Sequence, residues 1–371
     1  MKSQDPQQLF AITALGLEPV CAGELIAMGM AGVRAVPGGV EFTGGLREVY
    51  TANLRLRSAS RVVVRVGSVR VRDFPELFQR ATRLPWGKFI RPDTAVQVRA
   101  VSHRSRLLHT GRIAETVAAA IDRALGRPYP PTVGAQQVLA RIEDDLCHLS
   151  VDSSGELLHR RGWRQQGGAA PLRETMAAGL LLLLGWDGGV PLVDPLCGSG
   201  TLPIEGALLA RRLPPGGKRD FAFMTWPGYR PGLWQALLSE VGREARPAPA
   251  GILGADHDAS AIAMAQGNAE RAGVAADLEL RQQELVELAA PSTPGLVICN
   301  PPYGARLSAG EDLRPLFRQL GDRFRRGFPG WQLAFLATDE ELARATALEL
   351  SPVATFSNGG IRVTLFSTQG R

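Results

Sequence analysis

The sequence has no long apolar run and contains little lysine, cysteine or histidine. Its longest apolar block, AAGLLLLLGW at 177–186, is too short to cross a bilayer. No early segment combines a charged start, a long apolar stretch and a small-residue cleavage site. We therefore expect a cytoplasmic protein.

The four cysteines and five histidines are scattered along the chain. Cysteines at 21, 147, 197 and 299 show no C-x-x-C spacing, and no histidine pair has H-E-x-x-H spacing. The sequence therefore predicts no disulfide, no structural zinc and no other metal site.

Arginine supplies nearly all of the positive charge, because only three lysines are present, at 2, 88 and 218. Between Arg55 and Arg112 there are 14 basic residues and three acids, a local balance of +11; the rest of the chain carries about −5 of the net +6. A GC-rich genome would explain heavy arginine usage, but it would not explain this segregation. The pattern predicts a basic module joined to a mildly acidic one, and it permits an anionic partner. The segment RVVVRVGSVRV, 61–71, predicts a strand with one wet, cationic face, and TAVQVRAVSHRS predicts a second cationic strand. The candidate residues for binding such a partner lie on or beside these strands: Arg65, Arg70, Arg72, Arg99, Arg104 and Arg106.

Two kinds of pattern divide the chain. Up to about residue 158, short strands alternate with amphipathic helices, which predicts two small α+β layers. After HRRGWRQQGGAAPLRE, long helices alternate with short strands that are apolar on both faces. These features indicate an α/β parallel sheet that is covered on both faces. The final segment, FSNGGIRVTLFST, predicts two short antiparallel strands at the end of this sheet. A segment rich in proline, glycine and tryptophan, 212–250, is read as an insertion.

The stretch DPLCGSGTLPIEGALLA, 194–210, predicts a strand, a glycine turn and a helix that begins near Thr201. Glycines at 198 and 200 allow the backbone close to a ligand, and a helix N-terminus offers free N–H groups. Pro203 replaces the third glycine of a dinucleotide fingerprint. A carboxylate at the strand tip, Asp194, disfavours phosphate and favours a cationic ammonium or sulfonium. Cys197 has no histidine nearby in sequence and is not predicted to be a nucleophile.

Three further acids follow the next two strands. In GILGADHDASA, Asp256 is placed to accept hydrogen bonds from the hydroxyls of a ribose, and Asp258 is placed to cap the following helix. The alternative is that both aspartates act only as helix caps. Glu284, in QQELVEL, is a candidate acceptor for an adenine amino group. Taken alone, the position of Glu284 in the sequence does not decide whether this residue contacts adenine or has no role in the site.

The stretch VICNPPYGARL, 297–307, leaves a strand through an amide, two prolines and an aromatic ring. Prolines cannot continue the ladder, so the chain must turn. The Asn300 amide oxygen and the Pro301 carbonyl are then fixed acceptors for a planar amine, and Tyr303 offers a stacking surface. A tight turn without any further role is the simpler alternative.

These motifs together resemble the class I, S-adenosylmethionine-dependent methyltransferases, and more narrowly the THUMP-domain RNA guanine-N2 methyltransferases that modify bacterial large-subunit ribosomal RNA. The resemblance rests on DPLCGSGTLPIE, GADHDASAI, NPPYGARL and HRRGWRQQGGAAPLRETMAAGLL, and it covers nearly the whole chain. It implies a ferredoxin-like domain at 1–54, a THUMP domain that holds RNA at 55–158, and a linker with a Rossmann-like catalytic domain at 159–371.

The resemblance also implies a set of site residues. Asn300, Pro301, Pro302 and Tyr303 would hold the target base. The residues implied to contact S-adenosylmethionine follow the successive strands: Asp194, Leu196, Cys197, Gly198, Ser199, Gly200, Thr201, Asp256, His257, Glu284 and Asn300. Relatives usually have Asp where Glu284 stands, and some carry a second methyltransferase domain downstream of the position where this sequence stops.

Four other functions remain open at this stage. Transfer RNA is an alternative substrate, and a DNA adenine-N6 or a protein glutamine-N5 methyltransferase would share the Asn-Pro-Pro-Tyr segment. A non-catalytic RNA-binding assembly factor is a rival of another class. The basic α+β half argues against the DNA and protein substrates, because neither requires it. The oligomeric state is not predicted.

Overall fold

The computed structural model describes residues 6–126, 133–165, 172–248, 250–291, 294–303, 312–358 and 360–368. The described part contains two seven-stranded sheets with helices packed against them. In the described part, no helix is both long and apolar enough to span a membrane.

The N-terminal elements follow the predicted alternation of strands and helices. Their bounds are β1 Gln7–Thr13, α1 Glu18–Ala27, β2 Ala31–Val36, β3 Gly39–Gly44, α2 Leu46–Arg55, β4 Ala59–Arg70, α3 Phe74–Thr82, β5 Thr94–His103, α4 Thr110–Leu125, β6 Val133–Glu143 and β7 Leu146–Asp152. Helix α4 ends where Gly126 takes a left-handed conformation, as its position in the sequence predicts.

One continuous sheet, rather than two separate layers, joins these strands in the order β2-β3-β1-β4-β7-β6-β5. The joint is β4, which is 12 residues long. Its first half pairs with β1 and its second half with β7, so a single strand belongs to both units. Hydrophobic spacing identifies such a strand but does not reveal that it has partners on both sides. The predicted boundary at 54/55 falls just before this shared strand and remains a proposal.

The expectation that the 61–71 strand has a wet cationic face is wrong at its start. Arg61 is buried and donates hydrogen bonds to the Asp152 carboxylate and the Gly155 carbonyl. The neighbouring valines at 62–64 are buried as well, because both sides of this part of β4 are covered.

The C-terminal elements form the predicted doubly covered sheet. Their bounds are α5 Glu174–Leu183, β8 Leu192–Asp194, α6 Thr201–Ala210, α7 Pro231–Glu244, β9 Ile252–Asp256, α8 Ala259–Ala272, β10 Leu278–Gln282, β11 Leu296–Cys299, α9 Arg314–Gly327, β12 Gln332–Ala337, α10 Glu340–Ala345, β13 Ser351–Asn358 and β14 Ile361–Ser367. The strand order is β10-β9-β8-β11-β12-β14-β13. Strands β8 to β12 are parallel, and β14 runs antiparallel to both β12 and β13, as the sequence predicts.

Alternate residues of each central strand enter different hydrophobic cores. In β11, for example, Leu296 and Ile298 face one core, while Val297 and Cys299 face the other. A strand covered on both faces reads as continuously apolar, and the two cores explain the sequence pattern.

The insertion 212–250 packs against the N-terminal half of the molecule. Phe223 stacks on Tyr50, with ring centroids 4.3 Å apart, and the Trp226 indole donates to the Gln136 side chain. The Tyr50 hydroxyl in turn accepts a hydrogen bond from the Arg230 amide at the start of α7. Aromatic side chains therefore fix the two halves together. The composition of the insertion gave no indication of where it would pack.

Candidate active site at the edge of the parallel sheet

Three predicted site segments lie at the same edge of the C-terminal sheet. Strand β8 pairs in parallel with β9 on one side and β11 on the other. Asp194 is paired with Gly254, two residues before Asp256, and Val193 is paired with Val297, three residues before Asn300. The carboxyl ends of these strands therefore bring Asp194, Asp256 and Asn300 to one crevice, which is where doubly wound sheets bind ligands.

The turn after β8 is held by backbone hydrogen bonds to the neighbouring strand. The Cys197 amide donates to the Ala255 carbonyl at 2.9 Å, and the Gly198 amide donates to Asp256 Oδ2 at 2.9 Å. Gly198 and Gly200 have φ angles of 51° and 83°. A Cβ on Gly200 would also lie 3.0 Å from the Ala265 side chain, so this turn requires glycine there. Helix α6 begins at Thr201, as predicted.

Asp194 is a buried carboxyl at the tip of the central strand. Its side chain accepts a hydrogen bond from the Leu196 amide at 3.1 Å. Burial raises the pKa of Asp194 well above its usual range, and the nearby Asp256 carboxylate raises it further. A cation placed beside Asp194 would oppose both effects, so the site electrostatically favours a positively charged ligand.

Cys197 is buried between the same acids. Burial, followed by the charges of Asp194 and Asp256, raises the pKa of the Cys197 thiol well above its ordinary value. A thiolate is therefore strongly disfavoured, which agrees with the prediction that this cysteine is not a nucleophile.

Asp256 is connected to the residues that follow it. Its Oδ1 accepts from the Asp258 amide at 3.1 Å and lies 3.3 Å from His257 Nδ1, while the His257 side chain is largely exposed. Asp258 caps α8 by accepting from the Ser260 amide, which confirms its predicted capping role. Glu284 is exposed and lies just beyond Gln283, whose amide donates to the Asp256 carbonyl. Glu284 therefore reaches the same edge of the sheet, and its contact with adenine remains a prediction.

Asn300 follows β11 and is only 9% exposed. Within the described part of the chain, its Oδ1 atom is buried without a hydrogen-bond partner. An unsatisfied buried acceptor is costly, and it marks a position where a ligand donor would bind favourably.

The ring of Tyr303 is packed more tightly than a freely accessible stacking surface would be. Tyr303 is 7% exposed, and its hydroxyl accepts from the Asn358 side chain at 2.6 Å. Pro301 is also buried and Pro302 is half-buried. The remainder of the predicted motif, from 304 to 307, lies outside the described residues. The roles of Pro301, Pro302 and Tyr303 therefore remain predictions.

Arg164 is a site residue that the sequence reasoning missed. It donates to the Glu174 carboxylate at 2.7 Å, to Ser199 Oγ at 2.9 Å and to Thr201 Oγ1 at 2.7 Å. One side chain thus ties the linker before α5 to the glycine turn. The signal available was the run of arginines ahead of Glu174, but the distance along the chain concealed the contact with residues 199 and 201.

Two side chains of α8, Asn268 and Arg271, also support the glycine turn. The side-chain amide nitrogen of Asn268, a fully buried residue, donates to the Ser199 carbonyl at 3.0 Å. Arg271 donates to the Asn268 side chain and to the Trp163 carbonyl, so α8, the linker and the turn form one network. Nothing in the sequence singled out Asn268 or Arg271.

Five of the six candidate RNA-binding arginines divide into two groups, and Arg65 is partly buried. Arg104 pairs with Glu143 and Asp144, and Arg106 lies 3.5 Å from Asp145, so local acids partly balance both charges. Arg70, Arg72 and Arg99 are exposed.

Arg65 and Arg99 line a cavity of about 560 Å³ on the open face of the N-terminal sheet. Arg65 Nε is buried there without a partner in the described part, and Arg141 adds a third guanidinium.

Among the described residues, no group of three His, Cys, Asp or Glu side chains is arranged to hold a metal ion. The four cysteines are free and buried. The expected absence of a metal remains a prediction.

Residues 161–366 match the family model for the RMKL-like methyltransferase domain. The chain belongs to this methyltransferase family. Residues 8–63 match an RlmL ferredoxin-like domain, and residues 71–152 match a THUMP domain. These matches and the observed sheets confirm the predicted fold class.

Two curated relatives cover almost the whole chain. One, "Ribosomal RNA large subunit methyltransferase K/L" of Methylococcus capsulatus, is 36% identical over 97% of this chain and 51% of its own length. The other, "Putative RNA methyltransferase slr0064" of Synechocystis sp., is 33% identical over 96% of this chain and 95% of its own. The chain therefore spans about half the length of the K/L relative.

Two solved structures superpose closely on this chain. One is described as "SMU.472, a putative methyltransferase complexed with SAH"; it has a TM-score of 0.91 and 30% identity and covers 100% of this chain and 99% of its own. The other is described as "a predicted N6-adenine-specific DNA methylase from Listeria monocytogenes", with a TM-score of 0.90 and 32% identity over 99% and 97% of the two chains.

Proposed function

We propose that this protein is an S-adenosylmethionine-dependent RNA methyltransferase that forms N2-methylguanosine in large-subunit ribosomal RNA. The observation that carries the proposal is the Oδ1 atom of Asn300, which is buried and has no hydrogen-bond partner among the described residues, one strand away from Asp194 and the glycine turn. One edge of the C-terminal sheet thus holds two neighbouring groups: Asn300 Oδ1, which can accept from an amine, and the Asp194 carboxyl, which favours a cation.

The residues present fit the cofactor. Asp194 is a buried carboxyl whose raised pKa would be lowered by a nearby ammonium or sulfonium. The Gly198–Gly200 turn allows close approach of backbone, and Asp256 lies at the end of the adjacent strand, where ribose hydroxyls are commonly bound. Bound there, the cofactor would supply an electrophilic methyl group. The similar structure described as complexed with SAH supports this assignment.

The chain's own contribution to the reaction is to hold the amine. The lone pair of the guanine exocyclic amine is conjugated into the ring and is a poor nucleophile. If Asn300 Oδ1 and the Pro301 carbonyl accept its two N–H groups, the nitrogen becomes more tetrahedral and its lone pair turns toward the donor. Fixed acceptors also stabilise the positive charge that develops on nitrogen as it takes the methyl group, and alignment of the reactants adds to the rate. One N–H proton leaves to water after the transfer, which restores a neutral amine.

RNA as the substrate is supported by the N-terminal half. The THUMP match, 71–152, overlaps the arginine-rich segment, 55–112, and Arg70, Arg72 and Arg99 are exposed to solvent. Phosphate contacts by such arginines would make binding dependent on salt. A paired guanine has its Watson–Crick edge occupied, so the target must be unpaired or extruded before its amine can reach Asn300.

Adenine-N6 methylation of DNA is the second candidate, because the Listeria structure carries that description and an adenine amine would suit the same acceptors. The basic N-terminal half favours RNA. Transfer RNA is the rival within the RNA class.

The test is to incubate the purified protein with labelled S-adenosylmethionine and separate pools of ribosomal RNA, transfer RNA and DNA, all from a strain lacking the gene. Nucleosides from each pool are then identified by mass spectrometry. We expect N2-methylguanosine in large-subunit RNA. Label in N6-methyladenine of DNA, or only in transfer RNA, would reject the proposed substrate.

A further inference from the structure

A second cavity, of about 710 Å³, lies where the linker after β7 meets α5 and the 212–250 insertion. It shares Arg164 and Glu174 with the hydrogen-bond network that holds the glycine turn. The basic side chains that line it are His159, Arg160, Arg161, Arg164, Arg173 and Arg219. The acids that line it are Glu156, Glu174 and Asp220.

Ion pairs neutralise two of these three acids. Arg160 pairs with Glu156 at 2.7 Å, and Arg164 pairs with Glu174 at 2.7 Å. Arg161 pairs at 3.3 Å with Glu205, which lies outside the cavity.

Two arginines have no acidic partner among the described residues. Arg173 is exposed at the rim, and Arg219 donates instead to the backbone carbonyls of residues 156, 157 and 160. Arg219 Nε is also buried without a partner in the described part. Burial, followed by the charge of Arg161, lowers the pKa of Arg219 to about 10, which still leaves its guanidinium charged at neutral pH. Because five arginines and three acids line the cavity, it carries an excess of positive charge.

His159 responds to this excess charge. Burial, followed by the charges of Arg173, Arg160, Arg161 and Arg164, lowers its pKa to about 4. Its Nδ1 atom is buried without a hydrogen-bond partner in the described part. A neutral imidazole can place a proton on Nδ1 and donate it to an acceptor in the cavity.

We propose that this cavity binds a phosphodiester group of the RNA substrate, an inference that rests on the proposed function. Guanidinium groups bind phosphate oxygens through paired N–H donors, and an anion would balance the charge excess on Arg173 and Arg219. The cavity is large enough for a phosphate with part of its neighbouring sugar.

Arg164 links this site to the candidate active site. The same guanidinium that lines the cavity also donates to Ser199 and Thr201 in the glycine turn. RNA held in the cavity is therefore one side chain away from the turn that would hold the cofactor.

The first experiment measures phosphate binding without any methyl transfer. The chain has only five histidines, so the imidazole NMR signals can be assigned with a His159→Gln variant. Inorganic phosphate is titrated at pH 7, with chloride used to keep the ionic strength constant. We expect a saturable shift of the His159 signal alone.

An Arg173→Gln variant should weaken this phosphate binding about tenfold, the effect of one charge-assisted hydrogen bond. Arg344→Gln is the matched control, because Arg344 is an exposed arginine on α10 and does not line the cavity. No shift of His159, or equal weakening by both variants, would overturn the proposal whatever the protein methylates.

The second experiment asks whether RNA is the source of the phosphate. In Arg173→Gln we expect the KM for RNA to rise about tenfold and the salt slope of RNA binding to fall by about one. The kcat at saturating RNA and the dissociation constant of the cofactor should stay unchanged.

The other outcomes are distinct. A His159 response with unchanged RNA affinity would mean a site for free phosphate only and would overturn the assignment to RNA. Loss of cofactor binding in Arg173→Gln would instead place the cavity within the cofactor site, and it would also overturn the assignment to RNA. A His159 response in a protein that methylates no RNA would refute the proposed function and leave the anion site in place.

Discussion

Replacing Arg164 by alanine should both destabilise the protein and loosen the glycine turn. The Arg164 and Glu174 side chains are 16% and 3% exposed, and they are 2.7 Å apart. Removing one partner of a buried pair leaves an uncompensated charge, which costs about 3–5 kcal/mol. We therefore expect Arg164→Ala to lower the free energy of unfolding of the C-terminal half by about that amount.

A double-mutant cycle separates the ion pair from simple loss of packing. Arg164→Ala combined with Glu174→Gln removes both charges and should recover about 1–3 kcal/mol relative to the sum of the single effects. The assay is urea unfolding followed by tryptophan fluorescence. Effects that add to within about 0.5 kcal/mol would refute the claim that this pair stabilises the linker against the turn.

The same variant should weaken cofactor binding, because Ser199 and Thr201 lose a shared donor. A tenfold rise in the dissociation constant, about 1.4 kcal/mol, is expected from isothermal calorimetry. Arg211→Ala is the matched control: Arg211 follows the other end of α6 and pairs with Asp277 at 3.1 Å. If both variants bind the cofactor like the wild type, Arg164 does not position the turn.

Three further predictions concern stability. Phe223→Ala should cost about 3–5 kcal/mol in urea unfolding, because this ring is fully buried in the aromatic cluster of the insertion; a loss below about 1 kcal/mol would contradict that role. Gly321→Ala should be strongly destabilising, since its Cβ would lie 1.9 Å from the Thr346 carbonyl oxygen. Gly242 has open space around it, so Gly242→Ala should raise the melting temperature. Equal melting temperatures of the two variants would refute this contrast. Burial outweighs the Arg61 charge and raises the pKa of Asp152 from 3.8 to about 6, so the folded protein holds this proton more tightly than the unfolded chain does. The resulting stabilisation of the folded state is full below about pH 4 and is lost as the pH rises through 6. Relative to Asp152→Asn, the wild type should lose about 3 kcal/mol of unfolding free energy over that range, and a constant difference would contradict the shift.

The sequence predicted most of the elements because their signals are local. Two-sided apolar strands, the glycine turn before α6 and the Asp258 cap depend on neighbouring residues, and each lies where its pattern indicated. The parallel pairing of β8 with β9 and β11 then brings Asp194, Asp256 and Asn300 to one edge.

Long-range contacts account for what the sequence could not predict. Arg164 reaches Ser199 across 35 residues, and Phe223 of the insertion reaches Tyr50. Hydrophobic periodicity carries no information about such partners. In the same way, the two-sided pairing of β4 and the burial of Arg61 against Asp152 depend on where β7 docks.

The most direct test of the account is the rate of methyl transfer by Asn300→Ala in a single turnover, with RNA saturating and cofactor affinity measured in parallel. If Asn300 Oδ1 receives the target amine, the rate constant should fall by about 10²–10³, the effect of removing one preorganised group from a reacting centre. The cofactor dissociation constant should change by less than about threefold, or roughly 0.7 kcal/mol. A transfer rate equal to that of the wild type would contradict the central claim.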